Sequence, residues 1–319
     1  MRNSKLCDIL LILCATILSS RVAKAANKKV DFKVHCDNTT MMVKLKTSGD
    51  IKNIYLENLQ HYPEPDCHPK KLKGHSTFKL PLDEMYWCGG MAILNTINGK
   101  RTFIYHIIVE KQDNSTEKLS AQCVVPGQKL KIHKRAVLPA GFQEQEFENL
   151  DIESVENKAP EPVLNVGVRQ GDRRINGELN VNPGSQLTME INLDPVSAPI
   201  YGLLVSYMQV SDTKNLEETI VYNGCSVDPF LFENFNTLDG DALNAKFRAF
   251  KFPDSNYVQF KGTVNVCLDK CRGVECSNNQ IGYGRKRREI RKMMNDPNKV
   301  FEITLSTFIT SLVEGRSRC

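Results

Sequence analysis

Apolar and polar residues alternate along several short segments of the chain, most clearly at residues 30–36 and 187–193. A period of two over this length predicts β-strands that bury one face. Further strands, separated by turn signals such as Asn98-Gly99, are predicted at Thr102–Glu110, Ile200–Val210, Phe247–Phe252 and Tyr257–Leu268. No long amphipathic segment competes with them, so the predicted fold class is all-β.

The amino terminus has the pattern of a secretory signal. Arg2 and Lys5 precede an apolar run from Leu6 to Leu18, which is too short to span a bilayer as a mature helix. The small residues of Ala23-Lys24-Ala25 then suit a signal peptidase. We therefore predict a signal peptide at residues 1–25. A buried amino-terminal helix is the alternative, but the run has no separate apolar and polar faces.

A run of basic residues follows the last cysteine cluster and consists of Arg285, Lys286, Arg287 and Arg288. In a secreted chain this run predicts cleavage by a processing protease after Arg288, which makes residues 289–319 a propeptide. A nuclear-localisation signal is the alternative interpretation, but it conflicts with the secretory signal.

The cysteines are consistent with secretion. Of the 11 in the chain, Cys7 and Cys14 leave with the signal peptide and Cys319 lies beyond the processing site. The rest are even in number, which in an oxidising compartment predicts disulfide bonds. Two groups of four remain: Cys36, Cys67, Cys88 and Cys123, then Cys225, Cys267, Cys271 and Cys276. Within each group the sequence alone leaves three pairings open.

The two cysteine groups imply two modules, predicted at residues 26–126 and 163–283. Strands of this length and spacing suggest immunoglobulin-like β-sandwiches. The segment between them, 127–162, is rich in charge and ends on Ala159-Pro160-Glu161-Pro162. It cannot bury much apolar surface, so it is predicted to be a linker. The basic processing site occupies residues 284–288.

The sequence gives little support for nucleic-acid binding, enzymatic activity or metal binding. The net charge of +5 is too diffuse to imply a nucleic-acid partner. The sequence contains no HExxH or GxSxG motif, and Asp239-Gly240-Asp241 lacks the spacing of an EF-hand. We therefore predict neither an enzyme nor a cofactor. Zinc is an alternative for Cys267, Cys271 and Cys276, although a paired CxxC is missing and secretion favours oxidation.

Two sequons for N-linked glycans occur, Asn38-Thr39-Thr40 and Asn114-Ser115-Thr116. In a secreted chain they predict exposed asparagines at positions 38 and 114. The expected product is a secreted glycoprotein.

A family resemblance emerges from the combined features. Over about residues 30–310 the chain resembles a zona pellucida (ZP) domain precursor. The resemblance lies in the order of four amino-terminal cysteines, a linker, a second cysteine set ending in the cluster Cys267–Cys276, and then Arg-Lys-Arg-Arg. The second part is similar to ZP proteins of the arthropod cuticle and apical extracellular matrix, in the stretches Ser197–Gly202, Asn223–Pro229 and Phe247–Pro253.

The resemblance implies a disulfide pattern. The first module, resembling ZP-N, would pair Cys36 with Cys123 and Cys67 with Cys88. The second, resembling ZP-C, would pair Cys225 with Cys276 and Cys267 with Cys271. Arthropod relatives usually have two more cysteines in this module, and the corresponding positions here fall near Met208 and at Gly262. If those two positions pair with each other, one whole bridge is absent.

The resemblance also implies a mechanism of assembly. Two apolar patches correspond in position to the internal and external hydrophobic patches of ZP precursors. The internal patch consists of Leu164, Val166 and Val168, and the external patch consists of Phe301, Ile303 and Leu305. A propeptide strand would occupy a sheet edge, and cleavage would free that edge for a strand of the next subunit. The expected partners are the chain itself or other ZP proteins, and the processing protease. Two alternatives remain open: the patches are ordinary sandwich strands, or the product is a secreted, monomeric binding or receptor-like module.

The chain departs from the family at its carboxyl end. Most ZP precursors end in a transmembrane helix, whereas Glu302, Thr304 and Ser306 interrupt the one apolar segment after Arg288. Two interpretations follow: a fully secreted precursor, or a shortened form without its membrane anchor. Cys319 is compatible with both.

Overall fold

The computed structural model describes residues 30–127, 159–175, 178–179, 182–276, 281–282 and 296–311. The chain divides into two units, Met1–Asp31 and Phe32–Cys319, and the described architecture is that of the second. The predicted signal peptide, most of the predicted linker, Cys319 and the processing residues Arg285, Lys286, Arg287 and Arg288 lie outside the described residues.

Strands make up nearly all regular structure in the described residues, so the predicted all-β class is confirmed. Two short 3₁₀ helices, Pro65–Cys67 and Met85–Cys88, are the exceptions. No helix within the described ranges is long and apolar enough to cross a membrane. The first half, residues 30–127, contains β1 (Phe32–Cys36), β2 (Thr40–Lys46), β3 (Ile51–Leu56), β4 (Lys70–Leu72), β5 (His75–Pro81), β6 (Met91–Asn95), β7 (Arg101–Lys111) and β8 (Thr116–Val125).

The second half, residues 159–311, continues the strand series. Its strands are β9 (Leu164–Gln170), β10 (Arg173–Ile175), β11 (Glu178–Leu179), β12 (Gln186–Leu193), β13 (Tyr201–Ser211), β14 (Glu217–Tyr222), β15 (Cys225–Ser226), β16 (Ala242–Arg248), β17 (Tyr257–Leu268), β18 (Val274–Glu275), β19 (Ile281–Gly282) and β20 (Lys299–Ser311).

One large sheet runs through both halves, in the order β15-β14-β13-β17-β20-β6-β7-β3, with β8 on β7 and β11 on β20. Two smaller sheets have the orders β1-β2-β5-β4 in the first half and β10-β9-β12-β16 in the second, and β18 and β19 form a separate pair. All described pairings are antiparallel except β11 with β20. The two halves therefore share a sheet, which the sequence did not indicate.

The alternation that predicted strands corresponds to one buried face. In β12, Leu187, Met189, Ile191 and Leu193 are buried while the residues between them are partly exposed. The predictions at Thr102–Glu110, Ile200–Val210 and Tyr257–Leu268 correspond to β7, β13 and β17. Of the predicted strand at residues 30–36, the described strand β1 covers 32–36, and its apolar residues are only half-buried or exposed.

The prediction of a strand at Phe247–Phe252 is largely wrong. The strand here is β16, which ends at Arg248. Ala249 still exchanges backbone hydrogen bonds with the residues before β12: its N–H donates to the Ser185 carbonyl and its carbonyl accepts from the Gly184 N–H. Residues 250–256 are not part of a strand. Phe250 and Phe252 pack edge to face, with centroids 5.9 Å apart, so their apolar spacing reflects aromatic packing in a loop.

Apolar residues of the second half form a core between the large sheet and the β9–β12–β16 sheet. Side chains of the first half join it from β6 and β7, namely Met91, Ile93 and Ile104. In the first half, the disulfide between Cys36 of β1 and Cys123 of β8 connects the small sheet to the large one.

Candidate functional site

The strand beyond the predicted processing site, β20, lies in the interior of the large sheet. It pairs with β17 of the second half from Tyr257 to Cys267, with one register shift near Cys267. On its other side, Phe301–Leu305 pairs with β6 of the first half. The family resemblance implied a position at a sheet edge. Instead, β20 connects two strands that have no backbone pairing with each other in the described residues.

The predicted patch on β20 is fully buried. Phe301, Ile303 and Leu305 retain 8, 0 and 1 % of their exposure, and all three join the core of the second half. Ile303 lies between Val264 of β17 and Ile93 of β6. Since full burial of each such side chain is worth about 1.5–3 kcal/mol, this strand contributes strongly to the stability of the fold.

The carboxyl half of β20 is buried on both faces, a feature that the sequence analysis missed. Phe308 is 2 % exposed, and its ring centroid lies 5.1 Å from that of Tyr62 in the first half. A Cβ at Gly89 would lie 3.6 Å from the Phe308 ring, so Gly89 also packs against it. The apolar pair Phe308-Ile309 was the available signal, but it breaks the strict alternation used to define the patch.

A buried polar joint connects the two halves through β20. The Gln259 side-chain amide donates to the Tyr86 carbonyl (2.6 Å) and to Ser306 Oγ (2.9 Å), and the Ser306 hydroxyl donates to the same carbonyl (3.0 Å). Gln259 is 1 % exposed. The disulfide Cys67–Cys88 joins the two 3₁₀ helices of the first half, and Tyr86 lies in the second of them. The bridge therefore helps to position the carbonyl at this joint.

The segment before β20 is fixed to the Cys267–Cys271 loop. One carboxylate oxygen of Asp296 accepts from the Arg272 N–H (2.8 Å) and the other from the Asn298 N–H (3.0 Å). The Leu268 N–H donates to the Asn298 carbonyl. Both ends of β20 are thus held by described contacts.

The predicted internal patch lies on β9, an interior strand between β10 and β12. Leu164 and Val168 are buried in the same core as Phe301, Ile303 and Leu305, while Val166 is half-buried. A small cavity of about 30 Å³ is lined by residues 166–168 of β9 and 307–309 of β20. The structure therefore brings the two patches together, on facing sheets of one core.

The eight described cysteines form four disulfide bonds: Cys36–Cys123, Cys67–Cys88, Cys225–Cys276 and Cys267–Cys271. These pairs are the ones that the resemblance implies. Cys267, Cys271 and Asp296 have ligand atoms within 4.8 Å of one another, but both sulfurs belong to a disulfide. Cys276, the third candidate zinc ligand, is bonded to Cys225.

Met208 and Gly262, the positions at which the resemblance places two missing cysteines, are paired directly across β13 and β17. Met208 is fully buried, and its Cε would lie 3.1 Å from a Cβ at position 262. The thioether occupies the space beside the glycine.

Both predicted glycan acceptors lie on exposed turns. Asn38 lies between β1 and β2, and Asn114, with a φ of 60°, lies between β7 and β8. Both asparagines are exposed in the part of the chain that the structure describes.

One histidine, His106, lies beside a serine hydroxyl. His106 Nδ1 lies 3.1 Å from Ser120 Oγ, the arrangement of a nucleophile and a base. However, burial and the nearby Lys118 ammonium lower the pKa of His106 to about 4. An imidazole with that pKa is a weak base at neutral pH.

No protein-family model matches the chain, and no curated protein matches it. The resemblance to ZP precursors therefore rests on the sequence features themselves.

Proposed function

We propose that this chain is a secreted structural protein of the ZP type, which assembles into filaments of an apical extracellular matrix or cuticle after its carboxy-terminal propeptide is removed. In this proposal the two halves are the ZP-N and ZP-C modules, each an immunoglobulin-like sandwich. Cleavage after Arg288 separates β20 from the rest of the chain.

The observation that carries the proposal is the position of β20 between β17 and β6. Removing an interior strand leaves two unpaired edges, together with the apolar side chains that the strand covered. Water satisfies such edges poorly where the surroundings are apolar. A strand from a neighbouring subunit restores both the hydrogen bonds and the burial, and because this contact is head to tail it repeats along a filament.

The proposed partners are other copies of this chain or other ZP proteins, and the processing protease. The four disulfides and the exposed sequons support an extracellular location.

Negative-stain microscopy and sedimentation of the secreted protein, before and after cleavage, test the proposal. Filaments that form only after cleavage support it. A soluble monomer after complete removal of residues 289–319 contradicts it and favours a binding or receptor-like module. Turnover of a substrate by the soluble product would favour an enzyme instead.

A further inference from the structure

The outer face of the small β1-β2-β5-β4 sheet is basic. Met41, Val43, Leu45, Phe78 and Leu80 are buried on the inner face of β2 and β5, so the residues between them lie on the outer face. No residue in the four strands is Asp or Glu. This basic face consists of the exposed Lys33, His35, Lys44, Lys46, Lys70 and Lys79, together with the partly exposed His75.

The strand register places three of these lysines in one line across the sheet. Lys33 of β1 lies opposite Lys44 of β2. Thr77 of β5 lies opposite Lys44 on one side and opposite Lys70 of β4 on the other. Since neighbouring strands are about 4.8 Å apart, the line spans about 14 Å. Like charges directly opposite each other destabilise a sheet, so a bound anion relieves the repulsion between Lys33 and Lys44.

Carboxylates of the described residues do not neutralise this line. No ion pair joins Lys33, Lys44 or Lys70 to a carboxylate in the described part of the chain. Three acidic residues line a cleft at the end of the face where Thr40 pairs with Pro81, namely Glu64, Asp66 and Glu84. Lys33 and Lys44 do not line that cleft. An anionic chain is therefore attracted to the line of lysines and repelled from the cleft.

The kinds of side chain on the basic face select among anionic partners. The face has no Arg, Tyr, Trp or Phe. Protein interfaces are enriched in these residues and depleted in Lys, and single-stranded nucleic acids stack their bases on aromatic rings. Lysine ammonium groups are compact, strongly hydrated point charges, which suit a hydrated chain with anionic groups along its length.

We propose that the basic face binds a linear sulfated polysaccharide, whose sulfate groups lie over the line of Lys33, Lys44 and Lys70. Sulfate groups supply the charge density that three ammonium groups on one short line require, whereas a polysaccharide with carboxylates alone is more sparsely charged. The inference rests on the proposed function only for the extracellular location of the protein. Neither cleavage after Arg288 nor assembly is needed for this binding.

The first experiment measures binding of the full chain to end-tethered heparin at physiological ionic strength. The triple variant Lys33→Gln, Lys44→Gln and Lys70→Gln should bind at least about tenfold more weakly, because each lysine lost removes a contact that releases counterions from the polyanion. The matched control is the triple variant Lys246→Gln, Lys251→Gln and Lys270→Gln, which loses the same charge from exposed positions of the second half. It should bind like the wild type. Equal affinities of the two variants would overturn the inference.

Competition identifies the class of ligand. We expect soluble heparin to displace the protein from tethered heparin at a lower concentration than desulfated heparin does. It should also displace the protein at a lower concentration than DNA of equal total charge, single-stranded or duplex. Displacement by desulfated heparin or by DNA at the same concentration as by heparin would contradict a site for a sulfated polysaccharide.

A third measurement uses the wild-type protein and so does not depend on how the variants fold. Lysines are acylated with an amine-reactive ester, with and without heparin, and the labelled positions are identified by mass spectrometry. Heparin should protect Lys33, Lys44 and Lys70 but not Lys246. Equal labelling of all four with and without heparin would overturn the assigned site. Because none of the three measurements requires filaments, failure to polymerise would count against the proposed function alone.

Discussion

Gly262 lies directly opposite Met208 across β13 and β17, and the Met208 thioether fills the space beside the glycine. Two cysteines at these positions would therefore be cross-strand neighbours. We predict that the double substitution M208C and G262C forms a disulfide. A bridge closing a loop of this length is worth about 4 kcal/mol by loop entropy.

The matched control for this bridge is the pair M208S and G262S, which removes the same buried thioether without allowing a bond. Thermal unfolding of the full chain should give a higher Tm for the cysteine pair than for the serine pair. Free-thiol titration shows whether the bond has formed. An unbridged cysteine pair, or a bridged one as unstable as the serine pair, would reject the assignment of these positions.

The polar joint between the halves should behave as a coupled unit. We predict that Gln259→Leu and Ser306→Ala each lower the free energy of unfolding by about 1–2 kcal/mol, because each leaves buried polar groups with fewer partners. The double variant should lose less than the sum of the two. Urea unfolding measures all three, with the exposed Gln122→Leu as a control. Strict additivity would show that the two side chains act independently.

Charge on the buried face of β20 should weaken its docking. Replacing Ile303 and Leu305 with aspartate in the uncleaved chain buries carboxyl groups among apolar side chains, at a cost on the order of several kcal/mol. We expect premature assembly within the secretory pathway, seen as early-eluting material in size exclusion. Glu302→Gln is the control on the same strand. A monomer that is unchanged in the aspartate variant would contradict the proposed role of the strand.

Acid should destabilise the fold partly through His106. Its pKa is lowered to about 4 by burial and by Lys118, against an ordinary value of 6.5, so the unfolded chain binds more protons between these values. Above pH 6.5 the group does not lower the free energy of unfolding. As the pH falls towards 4, protonation of His106 in the unfolded chain lowers the free energy of unfolding by about 1–3 kcal/mol. His106→Gln should reduce the difference in urea midpoint between pH 7 and pH 4.5. The same difference in both proteins would exclude His106 as a cause.

Local patterns predicted local structure well. The alternation at residues 187–193 predicted β12 because the period of side-chain burial lies within one strand. The loop at Phe250 was missed because aromatic packing outside a sheet can have the same spacing. The pairing of the cysteines came from the family resemblance, since their spacing leaves several patterns open.

Long-range features could not be predicted in the same way. Ile93 and Ile303 are far apart in the chain, and nothing in either segment indicates that they pair. The joint of Gln259, Ser306 and the Tyr86 carbonyl also has no signal, because one of its three partners is a backbone group. The interior position of β20 therefore emerged only from the folded chain.

In the proposed mechanism, β20 prevents assembly until it is cleaved from the chain. The most direct test compares the secreted wild-type protein with a variant carrying Arg285→Ala and Arg288→Ala, using size exclusion and negative-stain microscopy. We predict that both are secreted, that the wild type is cleaved and forms filaments, and that the variant stays uncleaved and unassembled. Filaments formed by the uncleaved variant would contradict the claim.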